Sequence, residues 1–143
     1  MRGVDVWAVD MTMDSEMIFL MTKITKFEDL KCWMAARKMV KEVYVLSETG
    51  KLAKDFDTKS QIKRAALSSM NNIAEGFGKF SNKEFIRFLD ISQCSSLEVK
   101  SMLYVLLDMN YLEEVKINEL HELANETRNL TLALIRYLRG KEG

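Results

Sequence analysis

Catalysis at neutral pH most often recruits a histidine, and this chain has one, His121. A Ser-His-Asp or Cys-His site would have to use it as the base that takes the nucleophile's proton. His121 lies among Glu119, Glu122 and Glu126, with no nucleophile elbow beside it. Di-iron bundles need two Glu-x-x-His pairs on facing helices. Here Asn118 stands three before His121, and there is no second His. His121 is therefore expected to be a solvated surface residue. No catalytic residue, metal set or cofactor is expected.

The run Gly76-Phe77-Gly78-Lys79 invites a phosphate-loop reading. A true phosphate loop needs Gly at position 73 and Ser or Thr at position 80, which hold Ile73 and Phe80 instead. The simpler reading is an interhelical turn whose glycines supply positive φ. Lys79 and Lys83 would then flank the start of the next helix, where free N–H groups can hold a nucleic-acid phosphate.

Gln61, Arg64, Ser68, Asn72 and Glu75 are spaced 3, 4, 4 and 3, which makes a polar stripe on one helix face. Three readings stay open: a solvated face, a polar interface between helices or subunits, and an RNA-contacting face. Charge is also uneven along the chain. Lys51, Lys54, Lys59, Lys63, Arg64, Lys79, Lys83 and Arg87 gather in the middle, and Glu113, Glu114, Glu119, Glu122 and Glu126 follow later. Either these are scattered solvated charges, or a basic and an acidic face meet head to tail between subunits.

The elements that carry these residues follow from composition and period. The 143 residues are enough for one domain with a working core. They include no proline and only six glycines, so little interrupts helices. Helix one is expected over 27–47, with Leu30, Trp33, Arg37, Val40 and Tyr44 at 3/4 spacing and Ala36, Met39, Val43 and Leu46 widening the apolar face. Gly50 ends it, and 51–57 reads as a loop. Helix two covers 58–75, with Ile62, Ala66, Ser69 and Ile73 inward, stopped by Gly76 and Gly78. Helix three opens on the capping box Ser81-Asn82-Lys83-Glu84. Its stripe is Phe85, Leu89, Ser92, Ser96, Val99, Leu103 and Leu106, closed by Asn110. Helix four covers 115–138, with Ile117, Leu120, Ala124, Thr127, Leu130 or Thr131, Leu134 and Leu138 inward and Gly140 as its stop. Four helices with short connections define an all-α, up-down-up-down antiparallel four-helix bundle over 23–143.

Residues 1–22 show neither period. They are expected to be a disordered extension, with Met21 a plausible later start; the other reading is an arm docking on a neighbouring subunit through Trp7 and Ile18–Leu20. Without residues 1–21 the chain holds 20 basic and 17 acidic residues, about +3, which permits a nucleic-acid partner without demanding one. Cys32 and Cys94 have no framework spacing, which suits a reducing cytoplasm.

Four segments carry a family resemblance: Phe27-Glu28-Asp29-Leu30, Gln61-Ile62-Lys63-Arg64-Ala65-Ala66, Asn72-Ile73-Ala74-Glu75-Gly76-Phe77-Gly78 and Ser81-Asn82-Lys83-Glu84-Phe85. Over roughly 23–138 the chain resembles the four-helix bundle proteins encoded within intervening sequences of bacterial 23S ribosomal RNA genes. It is more distantly similar to the accessory protein of diversity-generating retroelements. The resemblance implies a homopentamer, a link to ribosomal RNA and no established catalytic activity. Together with the local charge, it makes a non-enzymatic, oligomeric, RNA-binding bundle the expected function. Lys59, Lys63, Arg64, Lys79, Lys83 and Arg87 would contact nucleic acid, and Gln61, Arg64, Ser68, Asn72 and Glu75 would form an interface. The alternative is a protein-interaction scaffold or accessory subunit, for example to a reverse transcriptase.

Overall fold

The computed structural model describes residues 6–7 and 23–142. Its four helices are α1 (Lys31–Ser47), α2 (Phe56–Phe77), α3 (Asn82–Asp108) and α4 (Glu114–Glu142). Short 3-10 turns at Phe27–Asp29 and Leu52–Lys54 precede α1 and α2. One two-residue ladder pairs β1 (Val6–Trp7) with β2 (Lys23–Ile24), antiparallel, with Val6 opposite Ile24. Apart from Val6–Trp7, the extension expected over residues 1–22 lies outside the described residues, and so does the arm through Ile18–Leu20.

Side-chain pairings show the helix directions. From α2 to α3, Gln61 meets Glu98, Ser68 meets Ser95 and Ser69 meets Ser96 and Ser92, so the two helices run opposite ways. Gln93 with Arg128 and Tyr104 with His121 place α4 antiparallel to α3. The Glu42–Lys116 pair ties α4 to α1, and the core shows the two antiparallel: Val43 and Leu46 pack with Ile117 and Leu120, Cys32 and Ala36 with Leu134 and Leu138. The bundle is up-down-up-down, as the short connections require.

The core has two apolar halves. One gathers Met39, Val43, Leu52, Ile62, Leu103, Leu106 and Ile117 near the α1–α2 and α3–α4 connections. The other gathers Leu30, Ala36, Ile73, Phe77, Phe85, Leu89 and Leu138 near the α2–α3 turn, with Ile24 closing its end. Between them lies a belt of buried hydroxyls: Ser69, Ser92, Ser96, Thr127 and Thr131. Burying an unpaired hydroxyl is costly, and each of these is bonded. Ser92 Oγ donates to the Ser69 carbonyl at 2.6 Å, Ser69 and Ser96 share a bond at 2.9 Å, and Thr127 and Thr131 donate to carbonyls four residues back at 2.8 Å.

The inward stripe expected on α3 is buried throughout, as are Ile62, Ala66, Ser69 and Ile73 of α2. On α4, Thr131 rather than Leu130 fills the ambiguous position. Helix one differs. Cys32, Ala35, Ala36, Met39, Val43 and Leu46 face inward, while Trp33 is half-buried and Arg37 and Tyr44 are exposed. Its start shifts to Lys31 because Leu30 is extended (φ −72°, ψ 125°) and swings its side chain into the core. The segment expected as a loop supplies a buried Leu52, and Asp55 caps α2 by accepting from the Thr58 N–H at 3.1 Å.

The glycines also depart from expectation. Among described residues, positive φ occurs at Gly50 and Asn110, both 56°, as their terminator roles require. Gly76 and Gly78 do not supply it. Gly76 is helical, and a Cβ there would lie 2.7 Å from Phe88 Cβ and 3.0 Å from Phe85 Cδ1, so its role is close approach of α2 to α3. Gly78 follows with φ −76° and ψ −5°, which any residue adopts. Gly140 stops nothing, since α4 continues to Glu142.

Candidate nucleic-acid interface

The six basic residues singled out in the sequence fall at opposite ends of α2. At about 1.5 Å of rise per residue, Lys59 and Lys79 are roughly 30 Å apart along the bundle.

At the α1–α2 end, Lys63 Nζ lies 3.1 Å and Lys59 Nζ 3.8 Å from the same Glu48 carboxylate oxygen. The Lys63 hydrogen bond, then the charge of both lysines, holds the Glu48 carboxyl below its usual range. Lys63 also lies 4.6 Å over the Tyr44 ring and Lys59 5.1 Å over the Phe56 ring, and Lys59 donates to the Ala53 carbonyl at 3.1 Å. These two cations are committed to intramolecular partners. Arg64, the next residue along α2, is exposed and has no hydrogen-bond or ion-pair partner among the described residues.

At the α2–α3 end the cations surround a turn and a helix start. Ser81 caps α3 by accepting from the Glu84 N–H at 3.1 Å. The Glu84 carboxylate accepts from Arg87 Nη2 at 3.2 Å instead of returning to the cap. Arg87 Cζ and Lys79 Nζ both lie over the Phe88 ring, at 4.8 Å and 5.0 Å. Lys83 is exposed and has no partner among the described residues. Phe80, between them, is 94% exposed. In the sequence Phe80 serves only to exclude a phosphate loop; the signal that marks it is an aromatic residue in a turn between two lysines.

The polar stripe of α2 divides. Gln61 Nε2 donates to Glu98 at 2.8 Å, Ser68 shares a bond with Ser95 at 2.8 Å, and Asn72 Nδ2 donates to Ser68 Oγ at 3.0 Å. Those three residues serve the α2–α3 seam. Arg64 and Glu75 are exposed and stand roughly 16 Å apart along the axis, too far to pair within one chain.

His121 is not a solvated residue. Its ring packs against Tyr104 with centroids 4.9 Å apart, and its Nε2 is buried with no hydrogen-bond partner. Burial, then the charge of Lys100, holds its pKa below the usual 6.5. The acidic residues cluster elsewhere: Glu42, Glu119, Glu122 and Glu126 line an α1–α4 groove of about 290 Å³ together with Lys38 and Lys116. Among the described residues no three His, Cys, Asp or Glu side chains gather to hold a metal ion, and no helix is long and apolar enough to cross a membrane.

These features define an all-α four-helix bundle with a basic, aromatic-tipped pole and an acidic lateral groove. The chain belongs to the 23S rRNA-intervening sequence protein family, whose pattern matches residues 28–133. It is similar to a solved protein of unknown function from the S23 ribosomal protein family of Bacteroides thetaiotaomicron VPI-5482. The two are 20% identical, with 73% of this chain and 97% of that one covered and a TM-score of 0.66, a likeness of fold. No curated protein matches the chain.

Proposed function

We propose that this chain is a non-enzymatic, self-associating bundle that binds RNA through the α2–α3 pole. The observation that carries this reading is the grouping of Lys79, Lys83 and Arg87 around the capped start of α3, with Lys83 uncompensated. Backbone N–H groups at a helix start and mobile ammonium groups both suit phosphate. Arg64 extends the basic surface along α2. Lys59 and Lys63, engaged by Glu48, contribute less than their sequence position suggests. The membership in a family named for 23S rRNA makes ribosomal RNA the first partner to try.

Self-association, with the five subunits implied by the family resemblance, is part of the reading. The acidic α1–α4 groove offers one charge-complementary surface to the exposed Arg64 of another copy. A cytoplasmic setting agrees with Cys32, a free thiol whose burial pushes its pKa up to about 12 and leaves it unreactive.

The test is binding of a structured 23S rRNA fragment over a salt series, alongside native mass with and without nuclease. Binding should fall steeply with salt. The combined Lys79→Gln, Lys83→Gln and Arg87→Gln variant should flatten the log–log slope by roughly 0.7–0.9 per lost phosphate contact. Failure of the wild type to retain RNA at low salt sinks the RNA role, and a monomer mass sinks self-association.

A second reading is a protein-interaction scaffold or accessory subunit, for example to a reverse transcriptase. The apolar side chains exposed at the opposite pole favour it: Phe56 at 74%, Val115, Val45 and Met109. Partner capture that survives the triple substitution, with no RNA retained, would select this reading.

A further inference from the structure

We infer that Phe80 is a stacking platform for an unpaired RNA base, received against an aromatic cavity beside it; this rests on the RNA-binding role proposed above. Phe80 is the most exposed large apolar side chain among the described residues. It makes no ring or cation contact there, whereas the neighbouring Phe88 already carries Lys79 and Arg87 over its ring. A single exposed phenylalanine is unremarkable by itself. Phe80, however, borders a cavity of about 310 Å³ whose lining includes Lys26, Phe27, Glu28, Phe77 and Gly78. That volume is at the small end of ligand pockets, which span about 300–1,000 Å³.

The cavity's aromatic walls are fixed before any ligand arrives. Phe27 meets the Trp33 ring edge-on at 5.1 Å, and Phe77 meets Phe85 edge-on at 5.9 Å, so two of the three rings are held by neighbours. Preorganised walls lower the ordering cost of binding, and only Phe80 needs to settle. The charge pattern says which part of a nucleotide belongs where. Lys26 and Glu28 offset one another in the lining, so phosphate gains no net attraction inside the cavity, while Lys79, Lys83 and Arg87 attract it around the start of α3. A neutral base inside and its phosphate outside satisfies both. A paired duplex keeps its bases stacked and offers no free face to the ring, whereas bases in loops, bulges and ends can splay onto aromatic side chains. Because every base has a π-face, the platform is tolerant of sequence.

Two full-length variants test this, Phe80→Ala and Phe80→Trp. A short labelled RNA single strand and a blunt duplex of the same strand are titrated at low salt, with native mass and thermal melting recorded for each protein. Phe80→Ala should weaken single-strand binding roughly 5- to 150-fold, the loss of one base stack, and leave duplex binding unchanged. Phe80→Trp should retain binding, and its added fluorescence should be quenched by the single strand. Unchanged single-strand binding in Phe80→Ala overturns the inference while leaving the RNA role intact. Equal losses for strand and duplex overturn it too. A reduced native mass would mean that a second copy covers Phe80, and a lowered melting temperature would mean that the chain itself does; either result overturns it. If the wild type binds neither RNA, the RNA-binding role falls and the platform falls with it.

Discussion

His121 and Asp55 make opposite uses of their surroundings, and both couple stability to pH. Asp55 accepts from Thr58 through one oxygen and from the Tyr111 hydroxyl at 2.9 Å through the other. Those bonds hold its carboxyl below the usual range and tie the α1–α2 connection to the residues before α4. His121 has the reverse problem, a buried nitrogen with no acceptor for a proton. Its pKa is depressed in the folded chain, so the unfolded chain binds more protons between the two values. Its contribution is therefore complete above about pH 6.5 and is lost as pH falls through the folded value. Asp55 and Glu48 act in a lower window, below about pH 4, because their folded values are also depressed. Urea unfolding should show stability declining between pH 7.5 and 5.5, and His121→Gln should remove much of that decline. An unchanged decline in the variant would assign it elsewhere. The sequence read His121 as solvated because Glu119, Glu122 and Glu126 flank it. On a helix turning 100° per residue, however, those three positions face α1 and solvent, while position 121 faces α3. Adjacency in sequence is a poor guide to shared environment here.

Among the elements, α3 was the most legible, since its inward residues repeat without competition. Helix α1 carries two stripes of similar spacing, and period alone cannot rank them. Packing chose the slimmer one, where Ala35, Ala36 and Met39 let α2 and α4 approach, and left the bulky Trp33 to meet Phe27 at the rim. Glycine was misread for a related reason: composition indicates where a chain can bend, and contact geometry shows where it must be thin. Gly76→Ala should destabilise the fold by about 1–3 kcal/mol in denaturant unfolding, because Phe88 Cβ sits too close to yield easily. Gly140→Ala meets nothing within 4 Å and should be neutral or stabilising by up to about 1 kcal/mol. A stabilised Gly76→Ala would show that α2 and α3 can part without cost.

For the molecule as a whole, the bundle could be read from the sequence and the site only in part. Lys59 through Arg87 look like one cluster because they are near in sequence, yet a single straight helix carries them to two poles. What unites the basic pole is the turn, and the turn's contribution, the aromatic Phe80, lay outside any charge count.

The hydroxyl belt has a consequence for the order of folding. Ser69, Ser92 and Ser96 bond between helices adjacent in the chain, so the loop to be closed before they meet is short. Cys32 of α1 packs in one core cluster with Leu134, Ile135 and Leu138 of α4, joining residues from nearly opposite ends of the domain sequence. The α2–α3 hairpin should therefore form in the folding transition state, with α4 docking on α1 afterwards. In stopped-flow kinetics Ser92→Ala should mainly slow folding and Cys32→Ala mainly speed unfolding. Equal slowing of folding at both positions would mean instead that the bundle closes in a single step.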